Sequence, residues 1–178
     1  MSEVDAVQIR EVQQADRGSL DGVLEKSFTG IYLRHARKTI TEVPTVRGAY
    51  LGDEAVGLSM LKVLQEDAGY VYYIAVSSAH QGKGIGTKLL RDAITYLTSS
   101  GIREVYASVG EHNVESNRLF LGNGFRRTNY GEVSRKYGML KAVSMYRSMF
   151  VVPGEILLVL DGPSMSEFVA SERAAQPS

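Results

Sequence analysis

The 178-residue sequence contains no cysteine, so disulfides, thiolate metal sites and a cysteine nucleophile are all excluded. An excess of charge of either sign is also missing, because 20 basic residues balance 20 acidic ones. The overall charge therefore gives no indication of a nucleic-acid or anionic-membrane partner. No apolar run approaches the roughly 18 residues of a membrane span, and no N-terminal segment resembles a signal peptide. The sequence predicts a cytoplasmic protein with no nucleic-acid partner, no membrane partner and no metal site.

The most informative pattern lies in residues 70–125. Its first part, Tyr70–Val76, is an apolar run rich in β-branched and aromatic residues, which predicts a buried strand. Three glycines follow at positions 82, 84 and 86, and glycine tolerates positive φ and lets a ligand approach the backbone. Apolar residues then recur three and four apart, which predicts an amphipathic helix. A glycine turn at a helix N-terminus favours a phosphate or pyrophosphate ligand, because N–H groups there lack intrahelical partners.

The spacing of this turn excludes two common phosphate loops. A dinucleotide fingerprint needs a third glycine where Thr87 stands, and a P-loop needs Gly-Lys-Ser/Thr where this chain has Gly82-Lys83-Gly84. The turn does match Gln-x-x-Gly-x-Gly, with Gln81, Gly84 and Gly86 in the defined places. Between a strand and a helix, this pattern closely resembles the acetyl-CoA loop of the GCN5-related N-acetyltransferase (GNAT) superfamily.

The resemblance extends beyond the loop. In the superfamily the next strand is followed by an Asn, then by a helix with a small residue three positions on, and by a Gly-Phe pair. This sequence has a strand pattern over Glu104–Val109, then Asn113, Ser116 and Gly124-Phe125. With these features in order over about 55 residues, the chain is identified as a member of this superfamily.

The segments before the loop agree with the superfamily order. Residues 6–12 alternate as a half-buried strand, and helical spacing follows over residues 20–28 and 31–41. Residues 46–51 and 56–64 predict two strands joined by a hairpin turn. The resemblance therefore implies an α/β fold with a mixed, mostly antiparallel central sheet flanked by helices.

The C-terminal part is expected to complete the sheet. The resemblance implies a closing hairpin of residues 126–129 and 142–149 around a loop at 131–140. Residues 155–160, E-I-L-L-V-L, predict an extra C-terminal strand that the same chain or a partner subunit must cover, so a homodimer is a further expectation. The expected domains are an acetyltransferase domain over 1–150, an extension packing on the domain or a partner subunit over 151–170, and a flexible tail over 171–178.

The resemblance also implies how acetyl-CoA is held as co-substrate. The loop backbone receives the pyrophosphate, with Lys83 and Lys88 adding positive charge near the phosphates. The main chain at the end of the preceding strand pairs with the pantetheine, and an N–H there polarises the thioester carbonyl. The expected cofactor-binding residues are Ile74, Ala75, Val76, Gln81, Gly82, Lys83, Gly84, Ile85, Gly86, Thr87 and Asn113.

The groups for proton transfer depart from the superfamily pattern. Many members carry a tyrosine seven residues after the Asn, where this chain has Phe120, and some carry a glutamate where it has Tyr70. The candidate catalytic residues are Asn113 and Ser116, each able to orient a water, and Tyr73 on the cofactor strand. Each also has a structural reading, respectively as a helix N-cap, as close packing and as core. Further candidates for the base are Glu66, Asp67, Glu111 and His112.

The predicted activity is direct transfer of an acetyl group from CoA to a primary amine. A protein N-terminus, a lysine and a small amine all remain open as acceptors. Covalent catalysis is disfavoured, because there is neither cysteine nor a Gly-x-Ser-x-Gly elbow. Two alternatives stay open: a catalytically weak CoA-binding regulatory domain, suggested by Phe120 and Tyr70, and an acyltransferase for a longer acyl-CoA.

Overall fold

The computed structural model describes residues 2–175. Within this range no helix is long and apolar enough to cross a membrane. Two short 3-10 segments, Gln14–Leu20 and Ser78–His80, accompany the regular elements. These elements are α1 (Glu3–Ala6), β1 (Gln8–Glu11), α2 (Asp21–Ser27), α3 (Gly30–Glu42), β2 (Thr45–Leu51), β3 (Glu54–Gln65), β4 (Ala68–Val76), α4 (Ile85–Ser99), β5 (Glu104–Gly110), α5 (Val114–Gly122), β6 (Arg126–Thr128), α6 (Tyr130–Tyr137), α7 (Met139–Met149), β7 (Glu155–Leu160) and α8 (Gly162–Ala175).

One seven-stranded sheet has the strand order β1-β2-β3-β4-β5-β7-β6. The pairs β1–β2, β2–β3, β5–β7 and β6–β7 are antiparallel. The turn between β2 and β3 places Gly52 at φ +57°, a conformation that glycine adopts without steric cost. The predicted α/β class with a mostly antiparallel sheet is confirmed.

The chain divides into two compact units, of which the first comprises residues up to 62 together with 71–93. One cluster of buried residues joins α2 and α3 to the strands and includes Leu24, Ile40 and Tyr50. A second cluster joins α4 to the same strands and includes Leu89 and Ala49. Because successive strand residues point to opposite faces, β4 separates the two clusters: Ala75 belongs to the first, whereas Ile74 and Val76 pack against the second. Helices α2 and α3 therefore cover one face and α4 the other.

Arg17 closes the carboxyl end of α3. Its Nη1 donates to the carbonyl oxygens of Ile40, at 2.8 Å, and Val43, at 2.7 Å, and its Nη2 donates to that of Pro44 at 3.0 Å. The last carbonyl groups of a helix have no intrahelical donors, so a buried guanidinium satisfies them. Burial also lowers the pKa of Arg17. These bonds fix the end of a helix that carries His35, a residue of the candidate site.

The second unit comprises residues 63–70 together with those from 94 onward. Strand β7 lies between β5 and β6, since Leu158 is opposite both Ala107 and Arg127. The predicted extra C-terminal strand is therefore confirmed, and both of its edges are paired within the chain. Helix α8 follows it and includes residues 171–175 of the expected flexible tail, whereas residues 176–178 lie outside the described range.

Two expectations for the C-terminal half were wrong. The expected loop at 131–140 contains α6, and the expected strand at 142–149 belongs to α7. Asn129 caps α6, because its Oδ1 accepts a hydrogen bond from the Glu132 N–H at 3.1 Å. On α7 the buried residues Ala142, Met145 and Met149 recur three and four apart, which is helical spacing. The first strand of the expected hairpin is present as β6, and it pairs with β7 instead of with residues 142–149.

The N-terminal strand also differs from the expectation of residues 6–12. It spans only Gln8–Glu11, and the short helix α1 precedes it. Ser2 and Asp5 form a capping box that starts this helix, with the Ser2 main-chain N–H donating to the Asp5 carboxylate at 2.9 Å. The predicted strand therefore included Ala6, the last residue of α1, and Val7, which lies between the helix and β1.

Candidate functional site

The glycine loop between β4 and α4 has the backbone that a phosphate-binding turn requires. Gly82 has φ +74° and Gly84 has φ +87°, and both residues are exposed. A Cβ atom added at Gly82 would meet no atom within 4 Å, so the loop surface is open. Gly86 lies in the first turn of α4, where main-chain N–H groups lack intrahelical acceptors. The loop therefore fits an anionic ligand held by main-chain donors.

The side chains of the loop fasten it to the strand before it. Gln81 Nε2 donates to the carbonyl oxygen of Val76 at 3.0 Å, and Ser27 Oγ donates to the same oxygen at 3.2 Å. Ile85 is buried and packs with the α4 cluster, so its side chain anchors the helix start. The predicted roles of Gln81 and Ile85 towards a ligand consequently concern their main-chain N–H groups. Thr87 is exposed on the first turn of α4.

The carboxylate of Glu3, near the start of the chain, contacts the side chains of Lys83 and His80 in this loop. Glu3 Oε2 accepts a hydrogen bond from Lys83 Nζ at 2.7 Å, and Glu3 Oε1 lies 2.6 Å from His80 Nδ1. The bond from Lys83, followed by that from His80, lowers the pKa of the Glu3 carboxyl group. The positive charge predicted to face the phosphates is thus already engaged by an anion of the same chain.

Residues 2–7, here called the N-terminal segment, are held against the loop at further points. Lys88 Nζ donates to the carbonyl oxygens of Val4, at 2.8 Å, and Val7, at 2.7 Å. A Cβ atom added at Gly84 would lie 3.7 Å from a methyl group of Val4. Sequence reasoning missed this segment, because Glu3 and Lys83 are 80 positions apart and no local pattern connects them.

The cofactor strand β4 presents its residues to both faces of the sheet. Ile74 and Val76 pack against the α4 cluster, and Ala75 is buried in the cluster of α2 and α3. Tyr73 also packs against the α2 and α3 cluster. The main chain predicted to receive pantetheine therefore lies directly after a tyrosine that faces the two N-terminal helices.

Tyr73 forms a hydrogen-bonded pair with a histidine from α3. The Tyr73 hydroxyl oxygen lies 2.7 Å from His35 Nδ1, and both side chains are half-buried. The ring of Phe28 meets the Tyr73 ring edge-on with centroids 5.1 Å apart, and the Tyr72 ring lies 6.4 Å away. Sequence reasoning missed His35, which appeared only as one position in the helical spacing of α3. The signal that could have identified His35 was the presence of a titratable side chain among the apolar positions of this helix.

Asn113 and Ser116 lie in the second unit and are brought together at the start of α5. Asn113 is the N-cap of this helix, since its Oδ1 accepts a hydrogen bond from the Ser116 N–H at 3.0 Å. Asn113 is exposed and Ser116 is half-buried. The structural reading of Asn113 as a helix cap therefore holds, and its catalytic or ligand-binding role stays a prediction.

The two positions that depart from the superfamily pattern are both buried. Phe120 packs edge-on against Phe125 with centroids 5.0 Å apart. Tyr70 is also buried, and its hydroxyl lies 2.8 Å from Ser108 Oγ. Phe120 is thus a core residue with no proton to donate, and the hydroxyl of Tyr70 is engaged within the second unit.

A buried glutamate with three hydrogen-bond donors in the second unit was not predicted. Glu104 on β5 accepts hydrogen bonds from the hydroxyl groups of Tyr106, at 2.9 Å, and Tyr137, at 2.7 Å, and from Lys136 Nζ. Burial, followed by the negative charge and hydrogen bond of Glu104, raises the pKa of Tyr106. Burial and the bond to Glu104 likewise raise the pKa of Tyr137. These contacts tie α6 to β5.

The other candidate bases lie mostly at the surface. Glu66, Glu111 and His112 are exposed, and Asp67 is half-buried with its carbonyl oxygen accepting from the main-chain N–H groups of residues 103 and 104. Over residues 2–175, no group of three acidic, histidine or cysteine side chains is placed to hold a metal ion.

Comparisons with known proteins agree with the geometry of the loop. The sequence profile of the Acetyltransferase (GNAT) family matches residues 12–125. A mycothiol acetyltransferase of Actinosynnema mirum is 32% identical over 75 residues, which are 42% of this chain and 25% of that protein. An L-2,4-diaminobutyric acid acetyltransferase of Oceanobacillus iheyensis is 36% identical over 58 residues, which are 33% of this chain and 31% of that protein. The chain thus matches about a third or less of the length of these two curated relatives.

A solved structure shows the same fold over most of the chain. The GNAT family acetyltransferase of Elizabethkingia anophelis, crystallised with acetyl-CoA bound, superposes with a TM-score of 0.65 at 18% sequence identity. The alignment covers 89% of this chain and 99% of that protein. Because the family profile matches well over half of the sequence, and includes the glycine loop, the chain belongs to the acetyltransferase (GNAT) family.

Proposed function

We propose that this protein transfers an acetyl group from acetyl-CoA directly to a primary amine. The observation that supports this most is the open loop with positive φ at Gly82 and Gly84, placed at the start of α4 within the family match. The Elizabethkingia anophelis relative binds acetyl-CoA on the same fold. The relative from Oceanobacillus iheyensis is named for an amine-bearing acceptor, L-2,4-diaminobutyric acid.

In this proposal the main chain does most of the binding. The N–H groups of residues 81–87 hold the pyrophosphate, and the main chain of residues 74–76 pairs with the pantetheine and polarises the thioester carbonyl. Asn113 and Ser116 order the ligand or a water, and Tyr73 supplies a proton. The acceptor is a protein N-terminus, a lysine or a small amine, and the reaction takes place in the cytoplasm.

A thermal-shift titration with acetyl-CoA, free CoA and an adenine nucleotide tests the binding. A ligand at a hundredfold its dissociation constant adds about 2.7 kcal/mol to the free energy of unfolding. For a domain of this size, each kcal/mol raises the unfolding midpoint by roughly 2 to 4 °C. A clear shift with acetyl-CoA and none with the nucleotide is the expected result. The absence of a shift would leave the loop as a turn without a ligand.

Thiol release over a panel of amines and peptides then tests the chemistry. Release with one class of amine identifies the acceptor. Binding without release would favour the second candidate, a CoA-binding regulatory domain, which the buried Phe120 at the usual tyrosine position suggests. A larger thermal shift with a longer acyl-CoA than with acetyl-CoA would indicate a different acyl donor.

The homodimer is a separate proposal. Strand β7 no longer requires a partner subunit, since both of its edges are paired. Met139 and Leu140 on α7, however, are 70% and 87% exposed, which leaves an apolar surface. Sedimentation velocity at micromolar concentration measures the oligomeric state, and a monomeric result would rule out the homodimer.

A further inference from the structure

The pair of His35 and Tyr73 offers a proton donor next in sequence to the main chain proposed to hold the thioester. Tyr73 directly precedes residues 74–76, the main chain proposed to hold the thioester, and its hydroxyl meets His35 Nδ1 at 2.7 Å. The usual tyrosine position of the superfamily is occupied by Phe120, which packs in the core. Of the candidate catalytic side chains, Tyr73 is therefore the one that carries an acidic hydroxyl.

Both members of the pair are fixed by their surroundings. The edge-on contact with Phe28 restricts the Tyr73 ring, so its hydroxyl points towards α3. On α3, Thr39 Oγ1 donates to the carbonyl oxygen of His35 at 2.8 Å and lies 3.4 Å from Nδ1. Arg17 holds the end of the same helix through three carbonyl groups. The 2.7 Å contact thus joins two ordered elements.

We propose that His35 is a positioning residue that directs the hydroxyl hydrogen of Tyr73 towards the leaving sulfur. With its hydrogen on Nδ1, the imidazole donates to the phenol oxygen, so the hydroxyl hydrogen is left for another acceptor. A donor at the phenol oxygen also stabilises the negative charge that develops there when the proton leaves. This inference rests on the proposed acetyl transfer and names a residue that acts through Tyr73.

The proposed step balances without a further reactant. The nitrogen of a neutral amine attacks the thioester carbonyl, and a C–N bond forms. The C–S bond then breaks, and the sulfur takes the proton of the Tyr73 hydroxyl. The phenolate oxygen, held by the His35 N–H, takes the proton that the new amide nitrogen loses. The products are the acetylated amine and CoA with its thiol protonated.

Steady-state kinetics of three variants test this inference. Tyr73→Phe keeps the ring and removes the hydroxyl, and His35→Leu removes the donor. Positioned proton donors contribute about a hundredfold to ten-thousandfold, so Tyr73→Phe should lower kcat about a hundredfold or more and His35→Leu about tenfold to a hundredfold. The KM for acetyl-CoA should change little. The double variant should match Tyr73→Phe alone, because His35 acts only through the hydroxyl.

A conservative variant and a control separate positioning from structure. His35→Asn places an amide N–H near the position of Nδ1 and should recover part of the lost kcat. Tyr32→Phe, on the exposed side of the same helix, should keep wild-type kinetics. An active wild-type protein whose His35→Leu variant keeps its kcat would overturn the inference alone. The inference would also be overturned if His35→Leu lowered kcat by the same factor in the Tyr73→Phe variant as in the wild-type protein. A wild-type protein that releases no thiol with any amine would remove the proposed function as well.

Discussion

Gly84 is the residue at which the loop depends most on the absence of a side chain. Its φ of +87° disfavours any residue with a Cβ, whereas the nearest atom to an added Cβ is 3.7 Å away. The cost of Gly84→Ala therefore comes from the backbone and not from crowding. We expect a loss of about 1 to 2 kcal/mol in the free energy of unfolding. We also expect weaker CoA binding, because the main-chain donors shift.

Urea denaturation and a calorimetric CoA titration measure these two effects. Gly22→Ala in α2 is the matched control, since an added Cβ there meets no atom within 4 Å and its φ is not positive. That variant should keep CoA affinity and gain up to about 1 kcal/mol of stability from the helix preference of alanine. Wild-type CoA affinity in Gly84→Ala would show that the loop backbone does not carry the ligand.

Single residues of the candidate site were predictable where the chemistry is local. Gly82 and Gly84 were recognised from the loop spacing, and both adopt positive φ. The cap role of Asn113 was also foreseen from its place before α5. His35 was not recognised, because its partner Tyr73 is 38 positions away and only the packing of α3 on β4 brings them together.

At the scale of elements, the N-terminal segment changes the electrostatics of the loop. The Glu3 carboxylate binds Lys83 and His80, and it lies beside the loop where we propose that a pyrophosphate binds. Two anions at one site repel each other. Glu3→Gln removes one charge and releases the Lys83 ammonium group, so CoA should bind roughly twofold to fivefold more tightly at low salt.

Calorimetric titration of CoA at two salt concentrations measures this change. The gain should shrink at high ionic strength, since exposed charges are screened. Glu11→Gln on β1 makes the same charge change at another exposed position and should leave the affinity unaltered. Equal affinities of wild type and Glu3→Gln at low salt would mean that the Lys83 ammonium group does not meet the phosphates.

The elements after Phe125 show where a pattern of the family misled the prediction. The expected hairpin ignored the cap formed by Asn129 and Glu132 and the helical spacing of Ala142, Met145 and Met149. These signals were present in the sequence. The order of strand, loop and helix over 70–125 was correct because residue spacing and glycine chemistry act locally there.

At the scale of the whole molecule, the buried Tyr106 and the half-buried Tyr137 make stability depend on pH. The folded state raises the pKa of Tyr106 and of Tyr137, whereas an unfolded tyrosine titrates near pH 10. Above about pH 10 the unfolded chain binds fewer protons than the folded one, so the free energy of unfolding falls as pH rises. Above about pH 10, each of these tyrosines lowers the free energy of unfolding by about 1.4 kcal/mol per pH unit. Below that pH its contribution to stability is fully present.

Chemical denaturation between pH 8 and about 11.5 measures this slope. Tyr137→Phe should make it shallower by the contribution of one tyrosine, and the comparison between variants removes the contribution of the lysines. Tyr32→Phe, whose ring is 52% exposed, is the matched control for the substitution itself. An unchanged slope in Tyr137→Phe would show that folding does not raise the pKa of the Tyr137 hydroxyl.

The sequence by itself determined the order of elements over residues 70–125 and the position of the glycine loop, because strand length, helical spacing and glycine conformation are properties of neighbouring residues. The mostly antiparallel sheet followed from the resemblance to the superfamily. Only the tertiary structure decided which side chains meet across the fold. The Glu3–Lys83, His35–Tyr73 and Glu104–Tyr137 contacts join residues 80, 38 and 33 positions apart. Such contacts depend on how whole elements pack, and no periodicity along the chain encodes them.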